Sequence, residues 1–315
     1  MPVPFLDATA VERAVPPSRA VRAVRDAFVA YARGEWTMPA KLYVPAYPAG
    51  DFRAMPALGA GHALLKWVTS FPGNPARGLP TVTGVVVLSY AATGLTRALL
   101  DAGAVTALRT GAAAVLAADV LGRDGWDVAG VVGAGVNGRA VIRTLAALGR
   151  DACVFDADAE RAQAAVREPG VRGRAATGID EALACSAVVT VTPGREVIVR
   201  EGTLRPGQHV SLMGADGPGK AEIAVAELER ARVFCDDWEQ ASHNGDLAHA
   251  VTAGAVERGH VTELGAVLTG AAAGRRADDE TTVFDSTGLA IQDLAVALAA
   301  VERLGELGDV PLLDL

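Results

Sequence analysis

The sequence predicts an α/β chain: a Rossmann-type doubly wound parallel sheet plus a second, discontinuous α+β domain. Three observations carry that prediction. From residue 128 onward apolar runs alternate with helical stretches, the pattern of parallel strands and crossover helices. Residues 41–101 read instead as short extended runs separated by Pro, Gly and Asn clusters, a mostly antiparallel sheet. A final amphipathic helix, 289–304, follows the alternating region and is expected to return to the first domain. The expected boundaries are 1–111 with 288–315 for one domain and 112–287 for the other.

In order, residues 3–6 suit a short strand and Asp7 or Thr9 the cap of a short helix. Ser18 is the expected N-cap of a second helix, with Val21, Val24, Phe28 and Tyr31 at helical spacing up to Gly34. Extended runs follow at 41–47, 52–55, 62–71, 82–90 and 95–100, then an alanine-rich helix at 104–121. The alternating region has strands at 128–132, 152–155, near 171, at 187–191, 209–213, 232–235 and 281–286. Helices are expected at 136–148, 159–166, 179–184, 246–253 and 263–268.

Composition narrows the function. The chain has 315 residues, 50% of them hydrophobic and 21% charged, enough for two sizeable cores. A formal net charge of −8 without a basic block argues against nucleic acid and for small ligands. Cys153, Cys185 and Cys235 lack metal-type spacing, so buried free thiols and no metal are expected. The first ten residues show no secretory pattern, and the apolar stretch 102–121 is interrupted by Arg109 and Asp119, so no membrane span and a cytoplasmic setting are expected. Lysine is rare: Lys41, Lys66 and Lys220 stand alone in an arginine-rich chain.

The strongest single motif is Gly133-Ala134-Gly135-Val136-Asn137-Gly138. Three glycines at G-x-G-x-x-G spacing, between an apolar run and a helical pattern, allow a tight turn, close backbone approach to a pyrophosphate and close helix packing. Asp156, at the end of the next apolar run, is placed to accept from a ribose 2′-hydroxyl. It is followed by Ala157 and Asp158 rather than a basic residue, so NAD is expected over NADP.

Ligands of open α/β sheets bind beyond the carboxyl ends of the strands, which directs attention to Thr192, Met213 and Asp216. On spacing alone Thr192 reads equally as a cofactor contact or a solvated loop residue. Asp216, in a Gly-rich loop, suits general acid-base work or an Asx turn. Lys66 shares its strand face with Leu64 and Val68, where a charge is costly unless paired or directed into a cleft; a cleft lysine is expected. Arg109, within the alanine-rich helix, suits either bidentate carboxylate binding or an exposed helix face. Lys41 and Arg53 are candidates for the same anion site.

The motifs Met38-Pro39-Ala40-Lys41, Phe52-Arg53-Ala54-Met55-Pro56, Lys66-Trp67-Val68, Phe71-Pro72-Gly73-Asn74-Pro75 and Thr106-Ala107-Leu108-Arg109-Thr110 occur in order with the glycine loop, Gly214-Ala215-Asp216, Gly219-Lys220-Ala221-Glu222 and Asp285-Ser286-Thr287-Gly288. In these the chain resembles the ornithine cyclodeaminase/mu-crystallin family of nicotinamide-dependent enzymes. The resemblance implies a homodimer whose first domain, with the C-terminal helix, binds substrate and pairs the subunits. It also implies Lys66 and Arg109 on an amino acid carboxylate, Lys66 and Asp216 as catalytic, and Thr81, Thr110 and Gly288 near the cofactor. The residue at 41 is arginine in several members and lysine here. The expected reaction is hydride exchange between NAD and the α-carbon of a small amino acid or its imine, with a keto acid or cyclic imine as the other substrate. Cyclodeamination, net dehydrogenation, imine reduction and ligand binding without turnover all remain open from sequence.

Overall fold

The computed structural model describes residues 2–217 and 219–314. It divides into two compact units, Met1–Arg109 with Leu289–Leu315, and Thr110–Gly288. Thr110, Gly111 and Gly288 therefore group with the second unit.

The first unit opens with β1 (Pro2–Leu6), α1 (Ala8–Ala14) and α2 (Pro17–Ala32). Asp7 caps α1 by accepting from the Ala10 amide at 2.8 Å. For α2 the expectation of a Ser18 cap is corrected: the N-cap is Pro16 and the helix starts two residues earlier than expected, at Pro17, whose fixed φ and missing N–H suit a first helical position. There follow β2 (Leu42–Ala46), β3 (Gly50–Gly59), β4 (His62–Ser70), β5 (Val82–Tyr90) and β6 (Thr96–Asp101), then α3 (Ala102–Leu121), which carries the chain into the second unit.

The second unit contains β7 (Val128–Val132), α4 (Val136–Ala147), β8 (Asp151–Phe155), α5 (Ala159–Val166), β9 (Gly173–Ala175), α6 (Ile179–Leu183), β10 (Ala187–Thr190), β11 (His209–Leu212), α7 (Val225–Arg230), β12 (Arg232–Cys235), α8 (Trp238–Asn244), α9 (Leu247–Thr252), β13 (Val261–Glu263), α10 (Leu264–Leu268) and β14 (Thr282–Asp285). The chain then re-enters the first unit through α11 (Ala290–Val301) and β15 (Leu312–Asp314). The strand expected near 171 lies at 173–175, and β13 and β15 were not anticipated.

In the first unit the strands order β15-β1-β6-β5-β4-β3-β2. The pairs from β6 to β2 are antiparallel, as a chain of short connections dictates. Cross-strand register aligns Met55, Lys66, Val86 and Leu100 in one row and Ala57, Leu64, Leu88 and Ala98 in the next. Both rows are buried, and α11 packs on β3, β4 and β5. The opposite face carries Leu42, Val44, Leu58, Leu65 and Trp67, all exposed, with Trp67 stacked on Phe52 at 5.7 Å.

In the second unit eight parallel strands order β13-β12-β14-β11-β10-β7-β8-β9. The chain proceeds outward from β7 through β8 and β9, then crosses back to β10 on the other side of β7. The topological switch point thus lies between β7 and β10. Parallel strands put every carboxyl end at one edge, so the residues after β7, β8, β10, β11, β12 and β14 share that edge. Cys153 and Cys235 are buried; Cys185, expected to be buried, is only half-buried, and all three are free thiols.

Candidate active site

At the switch point the glycine motif has the conformation that its chemistry requires. Gly133 adopts φ +109°, and a Cβ there would lie 2.8 Å from the Val191 carbonyl oxygen, so the turn after β7 sits directly against the loop after β10. A Cβ on Gly138 would lie 1.9 Å from the Gly133 carbonyl oxygen, which explains why the first turn of α4 needs glycine. Gly135 has open space where its Cβ would be and no side-chain cap on the helix that follows. Val136 is exposed and Asn137 half-buried beside it. The uncapped amides of this twelve-residue helix are free to receive an anion.

Asp156 follows β8. Its Oδ2 accepts from the Ala134 amide at 2.7 Å and its Oδ1 from the Asp158 amide at 2.9 Å. The carboxylate is thereby fixed to the glycine turn, with lone pairs remaining on both oxygens for a diol. Thr110 is buried and its hydroxyl has no hydrogen-bond partner among the described residues. An orphaned hydroxyl and a glycine cradle shaped for a backbone-bound anion both fit a dinucleotide.

The loops after β10 and β11 are joined by a residue to which the sequence assigned no role. Glu222, fully buried, accepts at one oxygen from the Thr192 amide and hydroxyl (2.8 and 2.7 Å) and at the other from the Thr190 hydroxyl and Gly214 amide (2.8 Å each). Burial pushes its pKa up against the pull of these four donors. Thr192 is thus not a free loop residue: it is half-buried, and its hydroxyl donates to Glu222 and accepts from the Gly194 amide at 3.2 Å. Glu222 and Ile223 in turn donate their amides to Asp246, whose pKa is pushed up to about 8 by burial and by the Glu222 charge.

Asp216 lies two residues beyond Gly214 and is half-buried, and the Lys220 ammonium donates to its Oδ1 at 2.5 Å. Met213, buried, is held by its amide on the Thr190 carbonyl at 2.8 Å. Gly288, at φ +75°, donates to the Asp236 carboxylate at 2.8 Å, which also accepts from the Ser286 hydroxyl. Asp236 is a second carboxylate that sequence reasoning missed.

In the first unit Lys66 lies in a buried ion pair. Lys66 is 1% exposed, and its Nζ lies 2.7 Å from Asp293 Oδ2 and 2.8 Å from Oδ1, while donating to the Thr106 hydroxyl at 3.2 Å. Arg109 Nε stands 3.5 Å from the same carboxylate, so Arg109 is not on an exposed helix face. Arg53 Nε donates to Asp51 at 2.6 Å and its guanidinium lies 5.3 Å from the Tyr43 ring centre. Burial lowers the Lys66 pKa to about 8; Asp293 pulls it up, and Arg109 and Arg53 push it further down. Lys41 immediately precedes β2 and Thr81 immediately precedes β5.

The whole chain is similar to known proteins. The profile of the ornithine cyclodeaminase/mu-crystallin family matches residues 4–307. An alanine dehydrogenase from Archaeoglobus fulgidus is 41% identical over 93% of this chain and 92% of its own. A solved archaeal alanine dehydrogenase dimer with bound NAD superposes with a TM-score of 0.93 at 38% identity, covering 100% of this chain and 99% of that one. The Δ1-pyrroline-2-carboxylate reductase of Thermococcus litoralis, solved with NADH and L-proline, gives a TM-score of 0.92 at 26% identity, covering 98% and 99%. The chain belongs to the ornithine cyclodeaminase/mu-crystallin family.

Proposed function

We propose that this chain is an NAD-dependent oxidoreductase that exchanges hydride with the α-carbon of a small amino acid, and that its reaction is the net oxidative deamination of an alanine-like substrate. The observation that supports this reading most is the 41% identity to an alanine dehydrogenase across nearly the whole of both chains. The site residues are compatible with it. In this reading Arg109 and Lys66, supported by Lys41 and Arg53, neutralise the substrate carboxylate. Asp216 takes the proton released as the amine becomes an imine and water adds to it, and returns a proton to the departing ammonia. The nicotinamide, when bound, supplies the hydride acceptor. Gly133, Gly135, Val136, Asn137, Gly138, Asp156, Thr192 and Met213 hold the dinucleotide, together with Thr81, Thr110 and Gly288. Asp156 would repel a 2′-phosphate, which favours NAD over NADP.

The test is a substrate screen of the purified protein that follows NADH absorbance and ammonia together. L-alanine with NAD is expected to give NADH and ammonia in equal amounts, and pyruvate with ammonia to consume NADH. Ammonia from L-ornithine without net NADH would establish cyclodeamination instead. Turnover of 1-pyrroline-2-carboxylate alone would establish imine reduction, and silence throughout would favour a ligand-binding protein.

We further propose a cytoplasmic homodimer paired through the exposed sheet face of the first unit. Leu42, Val44, Leu58, Leu65 and Trp67 form one apolar surface there, and such surfaces mark interfaces. Trp67→Glu places a charge beside Phe52 at its centre and is expected to weaken the dimer at least about thirtyfold. Sedimentation velocity over a concentration series checks this; an unchanged dimer would remove this face from the interface.

A further inference from the structure

A lysine in the middle of an apolar row demands an explanation. Around Lys66 the neighbouring strand β5 offers Val86, and β3 offers Met55 directly opposite and Arg53, already paired with Asp51, diagonally. From α3 come Thr106 and Arg109. The anion that touches Lys66 is Asp293, fully buried in the first turn of α11, where the helix dipole also favours a negative charge. Without it, the buried ammonium would face Arg109 and Arg53 and would shed its proton. With it, Lys66, Arg53 and Arg109 face Asp51 and Asp293, a cation-rich group to which Lys41 is added in the proposed function, and such a group suits a carboxylate ligand.

We propose that Asp293 is a positioning residue for substrate recognition: its carboxylate holds the Lys66 ammonium in place and in the charged form, so that Lys66 and Arg109 together receive the substrate carboxylate. The substrate half of this rests on the function proposed above; the charge-setting half does not. Because Lys66 has a pKa of about 8 in this pair, it is charged at neutral pH and loses its proton as pH rises through 8. Substrate affinity therefore falls over the same window.

Having only three lysines makes the test direct. Lysine-selective 13C labelling at Cε gives three signals, which Lys41→Arg and Lys220→Arg variants assign. Titration of the full chain is expected to place Lys66 near pH 8, and Asp293→Asn to move it at least about one pH unit lower. Asp293→Glu, which keeps the charge, is expected to restore most of the shift. In parallel, the KM for pyruvate at pH 8 is expected to rise at least about fivefold in Asp293→Asn, as the charged fraction of Lys66 falls, with NADH affinity unchanged. Equal Lys66 midpoints in wild type and Asp293→Asn would overturn the proposal. Should Asp293→Asn fail to fold, a wild-type Lys66 midpoint well below neutrality, which leaves the amine uncharged at neutral pH, would overturn it equally. A protein with the expected titration but no turnover of any amino acid would refute the proposed reaction and leave the charge-setting role standing.

Discussion

Asp216→Asn is expected to lower kcat about 10²- to 10⁴-fold, the range for loss of a positioned general acid-base group. The substitution changes almost nothing else. Asparagine matches aspartate in size, and its amide oxygen can still accept from the Lys220 ammonium that Asp216 now binds at 2.5 Å. What it cannot do is take up and return a proton. The glycine cradle and Asp156 lie after β7 and β8, elsewhere in the sheet order, so NADH affinity should stay within a few-fold of wild type. KM for the amino acid should also change little, because carboxylate recognition belongs to Lys66 and Arg109. Stopped-flow and steady-state rates beside an NADH titration check all three. An unchanged kcat would remove Asp216 from proton transfer; a loss of NADH binding would mean that its carboxylate holds the loop and does no chemistry.

Two kinds of information decided what could be read before the fold was known. The glycine loop was legible because its three residue types answer to local demands: a positive φ at Gly133, open approach at Gly135 and close contact at Gly138. Asp156 stood out by its place at the end of the next apolar run, and the structure ties it to the Ala134 amide of the glycine turn. Lys66 was half legible. Its apolar neighbours signalled a charge that needed an answer, but the answering Asp293 lies 227 residues away on the last helix, and only the fold brings it there. Glu222 was a letter in a motif with no role, since its partners Thr190 and Thr192 come from another strand end. The three-residue strand β13 was missed because it is too short for alternation to show. Long-range pairing of polar groups has no period, so sequence reasoning finds one member and not its partner.

Glu222 is where that missed pairing has its largest consequence. Each of its oxygens accepts one threonine hydroxyl and one backbone amide. Hydroxyls can turn; backbone amides cannot. A glutamine in either orientation therefore points its NH2 group at the amide of Thr192 or of Gly214, and one buried donor is left facing another. Glu222→Gln is expected to destabilise the second unit by about 2–3 kcal/mol, and Glu222→Ala, which takes the acceptor from both buried amides and both hydroxyls, by about 3–5 kcal/mol. Both variants release the loop after β10 from the loop that carries Asp216, so NADH affinity should fall about tenfold or more and kcat with it. A second signature comes from Asp246. Its folded pKa of about 8 exceeds its unfolded value of 3.8, so it favours the folded state fully below pH 3.8 and loses that contribution as pH rises to 8. Part of the elevation comes from the Glu222 charge. In Glu222→Gln the part of the Asp246 loss that the Glu222 charge causes should accordingly be gone, and the variant's stability should depend less on pH. Denaturant unfolding across that pH range, read beside an NADH titration, checks both effects. A glutamine variant with wild-type stability and wild-type NADH affinity would show that the two loops hold their places without this carboxylate.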